Sequence, residues 1–150
     1  MQNKKGFTII ELLVVIAIIA VLAAIVLVNV TQYIAKGKDA AIKGNLATIL
    51  TNGAIWYDGH ASVFTGFSAD ATYTNPAAAI QSANGNVAPT FGINLAADAF
   101  CACSPLNIKA GSPAVAQYYC VDSTGVKKQT ATACATECPT DPAAGAGICQ

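Results

Sequence analysis

GFTIIELLVVIAIIAVLAAIVLV, residues 6–28, is the stretch from which this chain is read. Every one of the 17 residues from Leu12 to Val28 is apolar, and no charged side chain follows Glu11 until Lys36. The 24 uncharged residues 12–35 predict a helix. At about 1.5 Å per residue it is about 36 Å long, enough to cross a bilayer core of about 30 Å. Glu11 stands at the lip of this run, just after a short polar leader containing Lys4 and Lys5. A plain membrane anchor has no use for a carboxylate there, because an ionised acid in hydrocarbon costs several kcal/mol unless it is paired.

A secretory signal peptide is the ordinary alternative. Its apolar region runs about 7–15 residues and ends in an Ala-x-Ala-like site. Here the run is longer, contains no Ala-x-Ala triplet, and carries an acid at its head. The arrangement instead resembles the type IV pilin and pseudopilin family. In that family a short basic leader ends in Gly, Phe follows, and Glu stands five positions after the Gly. Gly6, Phe7 and Glu11 fill those places. Many members have Pro where this chain has Val28 and Gly where it has Ala20; lack of the Pro removes an expected kink.

The resemblance implies cleavage between Gly6 and Phe7 by a membrane-embedded prepilin peptidase, and N-methylation of the new terminus at Phe7. It also implies assembly into a filament by copies of the chain, with an inner-membrane platform and an assembly ATPase as further partners. The Phe7 amine, once freed, carries a positive charge at a helix tip, and Glu11 lies four positions on, on the same face. Glu11 is therefore expected to neutralise the amine of a neighbouring subunit and set register; the alternative is that it caps its own helix.

Composition fits a small domain plus an anchor. The mean hydropathy of +0.49 is positive, and the apolar excess lies in the first 35 positions. There are eight lysines, no arginine and eight acids. Such a chain lacks the clustered cations that direct nucleic-acid binding requires. All six cysteines, Cys101, Cys103, Cys120, Cys134, Cys138 and Cys149, fall in the last third. An even count in a weakly cored region points to three disulfides in an oxidising compartment. The C-x-C and C-x3-C spacings and a single distant histidine, His60, argue against zinc. Cys101 and Cys103 are too far apart along an extended chain to bond each other. Of the fifteen pairings open to six thiols, the favoured one joins Cys138 to Cys149 and ties Cys120 to Cys101 or Cys103.

Lysine bias does not orient the span, since Lys36, Lys38 and Lys43 beyond it rival Lys4 and Lys5. The cysteines place their own end outside, so the N-terminus is expected inside. Beyond Val30 the helix is expected to become amphipathic: Ile42, Leu46, Ile49, Trp56 and Tyr57, with Gly53 between, fall at helical spacing. It should stop near Asp58-Gly59, with Gly59 in the left-handed conformation, so that residues 7–57 span roughly 76 Å.

Residues 60–100 read as loops and short elements, with a short helix after Asn75-Pro76 ended by Asn84-Gly85. A hairpin joins residues 115–122 to 126–132 through Ser123-Thr124-Gly125, with Asp122 as its turn former. The tail beyond Thr132 is looped and held by covalent staples.

The expected organisation is thus a leader, residues 1–6; a transmembrane and filament-core helix, 7–35; its amphipathic continuation, 36–58; and a small extracytoplasmic head, 59–150. The fold class is α+β, a long helix on a small antiparallel sheet with a disulfide-braced C-terminal region. No phosphate loop, metal-ligand helix, cofactor motif or nucleophile with its base occurs, so a structural subunit of a type IV pilus-like filament is favoured over an enzyme.

A pseudopilin of a type II secretion or competence system is the second reading. A monomeric membrane-tethered ligand-binding domain is the third. The subunit is expected in the cytoplasmic membrane, among lipid, before assembly. It is expected in an extracellular pilus, or a periplasmic pseudopilus, afterwards.

Overall fold

The computed structural model describes residues 6–111, 113–140 and 147–150, and of residues 28 and 29 only the backbone. Apart from Gly6, the expected leader lies outside the described residues. The chain divides into two compact units, one ending at Ile34 and one comprising Ala35–Gln150. Helix α1, Ile9–Gly59, supplies 51 residues to the two of them. In the first unit every described side chain from Ile9 to Leu27 is exposed. The segment is apolar on all sides, which a helix in water cannot sustain and a helix in lipid or in a bundle can.

The second unit is built on the amphipathic half of α1. Ile42, Leu46 and Ile49 are fully buried, at the spacing that puts them on one face. Gly53 continues the stripe, and the Phe100 ring lies where a Cβ on Gly53 would stand. Trp56 and Tyr57 are half-buried at its end. Gly59 is not left-handed; Ala61 and Ser62 are, with φ of 54° and 60°. His60 explains the difference. Its ring stacks on Trp56 at 3.6 Å, and Nδ1 lies 3.0 Å from the Trp56 carbonyl oxygen. That oxygen only accepts, so Nδ1 carries the proton and satisfies a carbonyl orphaned by the helix end.

After a 3-10 turn, Phe67–Ala69, helix α2 spans Ala71–Ala83. It starts five residues earlier than Asn75-Pro76 suggested. Asp70 is its N-cap, accepting from the Thr72 backbone N–H at 2.8 Å and hydroxyl at 2.6 Å. Hydrogen bonds from that hydroxyl, then from the amide, hold the Asp70 carboxyl below the ordinary carboxylate range. Pro76 sits inside the helix and has no N–H for the carbonyl of Thr72, four residues back. The side-chain amide of Asn52, on α1, donates to that carbonyl instead at 2.6 Å. The helix ends at Asn84 with Gly85 at φ 77°, as the Asn-Gly pair indicated.

Four antiparallel strands follow in the order β1 (Thr90–Ile93), β2 (Phe100–Pro105), β3 (Tyr118–Asp122) and β4 (Lys127–Thr130), each pairing with the next. β1 lies within residues 60–100, expected to be loops and short elements, and β2 begins where that stretch ends. The β3–β4 hairpin is shorter than expected, pairing Tyr118 with Thr130 and Val121 with Lys127. Asp122 forms its turn. Its Oδ1 accepts from the Thr124 amide (2.9 Å), the Thr124 hydroxyl (2.6 Å) and the Val126 amide (3.2 Å). Gly125 takes φ 92° at the bulge position.

The sheet has two buried faces, and β2 shows why. Phe100 and Ala102 point to α1 and join a core with Phe64, Phe67, Tyr73, Ile80 and Val121. Cys101 and Cys103 alternate with them and face the other way, against Cys120, Cys134 and Cys138. Phe100 is the centre of the aromatic packing, edge-on to Phe64 at 4.7 Å and to Phe67 at 5.4 Å. Burial pushes the Tyr73 hydroxyl up to about 12.

Candidate functional site: the helix tip and the braced sheet

Gly6, Phe7 and Thr8 precede the helix without regular structure, and Phe7 is 77% exposed. Thr8 is the N-cap of α1 in all but name. Its backbone N–H donates to Glu11 Oε2 at 2.9 Å and its hydroxyl donates to the same oxygen at 2.7 Å. The Glu11 N–H in turn reaches the Thr8 hydroxyl oxygen at 3.3 Å. This is a capping box, Thr-x-x-Glu, in which the acid at the third helical position and the hydroxyl at the cap satisfy each other's backbone donors. Thr8-Ile9-Ile10-Glu11 carries that signal in the sequence, and in the single chain Glu11 takes the alternative of capping its own helix. Starting the helix at Ile9 rather than Phe7 also leaves the Gly6–Phe7 bond in non-helical chain.

Below the tip, Leu12, Leu13, Val14, Val15 and Ile16 begin a band of exposed large apolar side chains that continues to Leu27. An exposed apolar surface of this extent marks a contact with lipid or protein. Among the described residues, no group of three or more His, Cys, Asp or Glu stands where it could hold a metal ion.

The cysteines are all joined, as Cys101–Cys138, Cys103–Cys134 and Cys120–Cys149. The favoured pairing of Cys138 with Cys149, and of Cys120 with Cys101 or Cys103, is therefore overturned. Its error was to treat the tail as closing on itself. Cys103 and Cys120 do face each other in register across β2 and β3, yet both bond outward to the segment laid over the sheet. Helix α3, Cys134–Glu137, makes this possible. Cys134 and Cys138 are one helical turn apart, close to the advance of two strand residues between Cys101 and Cys103. Cys149 is further held by its N–H donating to Asp122 Oδ2 at 2.9 Å.

Glu137, also buried under this layer, pairs with Lys128 of β4 at 2.7 Å and accepts from the Thr130 hydroxyl at 3.0 Å. Burial pushes its carboxyl up. Hydrogen bonds from Lys128 and Thr130 and the Lys128 charge outweigh that, leaving it below the ordinary carboxylate range. His60 is engaged with Trp56 through its ring and Nδ1.

The prokaryotic N-terminal methylation motif matches residues 1–27. A type IV major alpha-pilin of Moraxella bovis is 51% identical over 47 residues, covering 31% of this chain and 30% of its own. The type IV wide pilus major component PilA4 of Thermus thermophilus is 48% identical over 46 residues, 31% of this chain and 35% of its own. The type IV major pilin protein PilA of Myxococcus xanthus is 45% identical over 49 residues, 33% and 22%. The chain spans about a third or less of the length of these relatives. No solved structure matches it. Over its N-terminal third, the chain is similar to type IV pilins.

Proposed function

We propose that this chain is the structural subunit of a type IV pilus-like filament, anchored in the cytoplasmic membrane before assembly and exposed outside the cell after it. The observation that carries the reading is the apolar band on residues 12–27. It is exposed on every side and carries at its tip a methylation motif shared with major pilins. Lipid covers such a band in the unassembled subunit and neighbouring helices cover it in a filament, where Ala17, Ala20, Ala23 and Ala24 permit close approach. The named relatives are major pilus components, which favours a pilus over a secretion or competence pseudopilus.

The working division is a leader, residues 1–6, removed by prepilin peptidase, then a filament-core helix and a head. A Gly6–Phe7 bond outside the helix suits a protease, which binds its substrate as extended chain. Methylated Phe7 then offers its charged amine to Glu11 of an adjacent subunit. Glu11 leaves its capping bond to Thr8, or shares it, when the neighbour docks. The membrane platform and assembly ATPase act on this subunit from the cytoplasmic side.

Mass spectrometry of the subunit purified from sheared filaments tests the reading. The expected N-terminus is N-methylated Phe7, and a cut inside residues 12–28 overturns it. Glu11→Ala is expected to leave membrane insertion and cleavage intact while filament yield falls at least about tenfold, the order of a lost charge pair in an apolar interface. Normal yield from that variant removes the register role.

A further inference from the structure

We propose that the cavity at the start of the second unit is a binding site for the phosphate headgroup of an anionic phospholipid in the outer face of the membrane. The inference rests on the membrane-anchored reading above. The cavity, about 250 Å³, has Lys36, Asp39, Lys43, Gln117 and Gln129 as its polar lining, and the larger, apolar part of its wall includes Leu106 and Ile108. Lys36 and Lys43 are seven positions apart on α1, two helical turns, and so share a face.

Lys43 is held in place rather than loose. Its ammonium donates to Gln129 Oε1 at 2.9 Å and stands 5.4 Å from the centre of the Tyr119 ring. One hydrogen bond uses one of three ammonium donors, so the rest can serve a phosphate. The Gln129 amide in turn donates to Gln117 Oε1 at 3.2 Å, which fixes the wall.

Asp39 is the one acid in the lining, and it is turned to another task. Its Oδ1 accepts from the Asn107 amide at 2.6 Å and the Asn107 side chain at 3.0 Å, and its Oδ2 accepts from the Ile108 amide at 3.0 Å. It ties the loop after β2 to the helix and shapes the cavity, while the two lysines leave the lining net positive. Two ammonium groups around a pocket of this size suit a tetrahedral anion.

The position in the chain selects the source of that anion. Lys36 and Lys43 come one and eight residues after Ala35, the end of the uncharged span. Cations placed immediately beside a span meet the phosphate layer. Lysines on the outer side run against the usual bias towards the cytoplasmic side, and a headgroup site accounts for them.

The full-length chain, reconstituted with heads outward, tests this by lysine footprinting with a membrane-impermeant acylating reagent. Vesicles of phosphatidylcholine alone are compared with vesicles also containing phosphatidylglycerol, and flotation is measured first. The expected result is that Lys36 and Lys43 react about fivefold more slowly with phosphatidylglycerol present, while Lys109 and Lys127 are unchanged. Protection must persist in Asp58→Asn and disappear at Lys43 in Lys36→Gln.

Equal slowing at all four lysines means diffuse adsorption and overturns the site. Protection in phosphatidylcholine vesicles on adding inorganic phosphate means a free-anion site and overturns the lipid assignment. A chain that does not float refutes the anchored reading and this inference with it. One that floats without selective protection refutes this inference alone.

Discussion

Two glycines of α1 that look alike in the sequence have opposite roles. Gly44 has open space where a Cβ would stand, whereas at Gly53 a Cβ would overlap the fully buried Phe100 ring. Replacing an exposed helical Gly by Ala gains about 0.5–1 kcal/mol, and overpacking a core costs about 1–3 kcal/mol. Gly44→Ala is therefore expected to raise the denaturation midpoint of the chain in detergent and Gly53→Ala to lower it, by chemical unfolding followed through Trp56 fluorescence.

Glu137 gives a second prediction at this scale. Because its folded carboxyl is held below its ordinary value of 4.5, its contribution is complete above that pH and is lost as pH falls through the folded value. Lys128→Gln removes the Lys128 charge and its hydrogen bond, and so moves that carboxyl upward from its value in the natural chain. The stability gap between the natural chain and Lys128→Gln should be widest near neutral pH and close as pH falls below about 4.5, measured by urea unfolding across the range.

At the scale of elements, the braced layer turns on a match of repeats. Two cysteines two residues apart on a strand face one direction, and two cysteines four residues apart face one side of a helical turn; laid antiparallel they meet. Peptide mapping under non-reducing conditions, with fragmentation between Cys101 and Cys103, should recover Cys101–Cys138 and Cys103–Cys134. A Cys138–Cys149 peptide contradicts the fold.

Removing one bridge through Cys103→Ser with Cys134→Ser is expected to cost about 2–4 kcal/mol, since each staple restrains an unfolded loop of about 30 residues. α2 illustrates a different dependence. Its proline is tolerated because Asn52, from another element, reaches the carbonyl that Pro76 leaves unpaired. No pattern within residues 71–83 announces that.

For the whole molecule, the chemistry divides between an exposed helix tip, proposed to contact other subunits, and a head whose core is closed by its own side chains. Thr8 carries a prediction that separates the tip's two roles. Thr8→Val removes the hydroxyl half of the capping box and keeps Glu11. If the carboxylate's main partner in a filament is a neighbour's amine, pili should still form in near-normal amount, unlike with Glu11→Ala. Equal loss in the two variants would make helix capping the whole function of Glu11.

Residues 6–28 by themselves determined a helix apolar and long enough to cross a membrane and the resemblance to type IV pilins that implied an α+β fold, because an unbroken apolar run with one acid at a set spacing admits few other readings. The amphipathic stripe Ile42, Leu46 and Ile49 and the Asp122 turn were legible for a similar reason: their signals are local and periodic. Which cysteines join, where α2 begins and what β1 and β2 are was settled only in three dimensions. Those features depend on partners far along the chain: a helical turn from residue 134 over a strand from residue 101, an asparagine under a proline, an aromatic ring over a glycine. Hydrophobic periodicity names the face an element buries, and it does not say what will be buried against it.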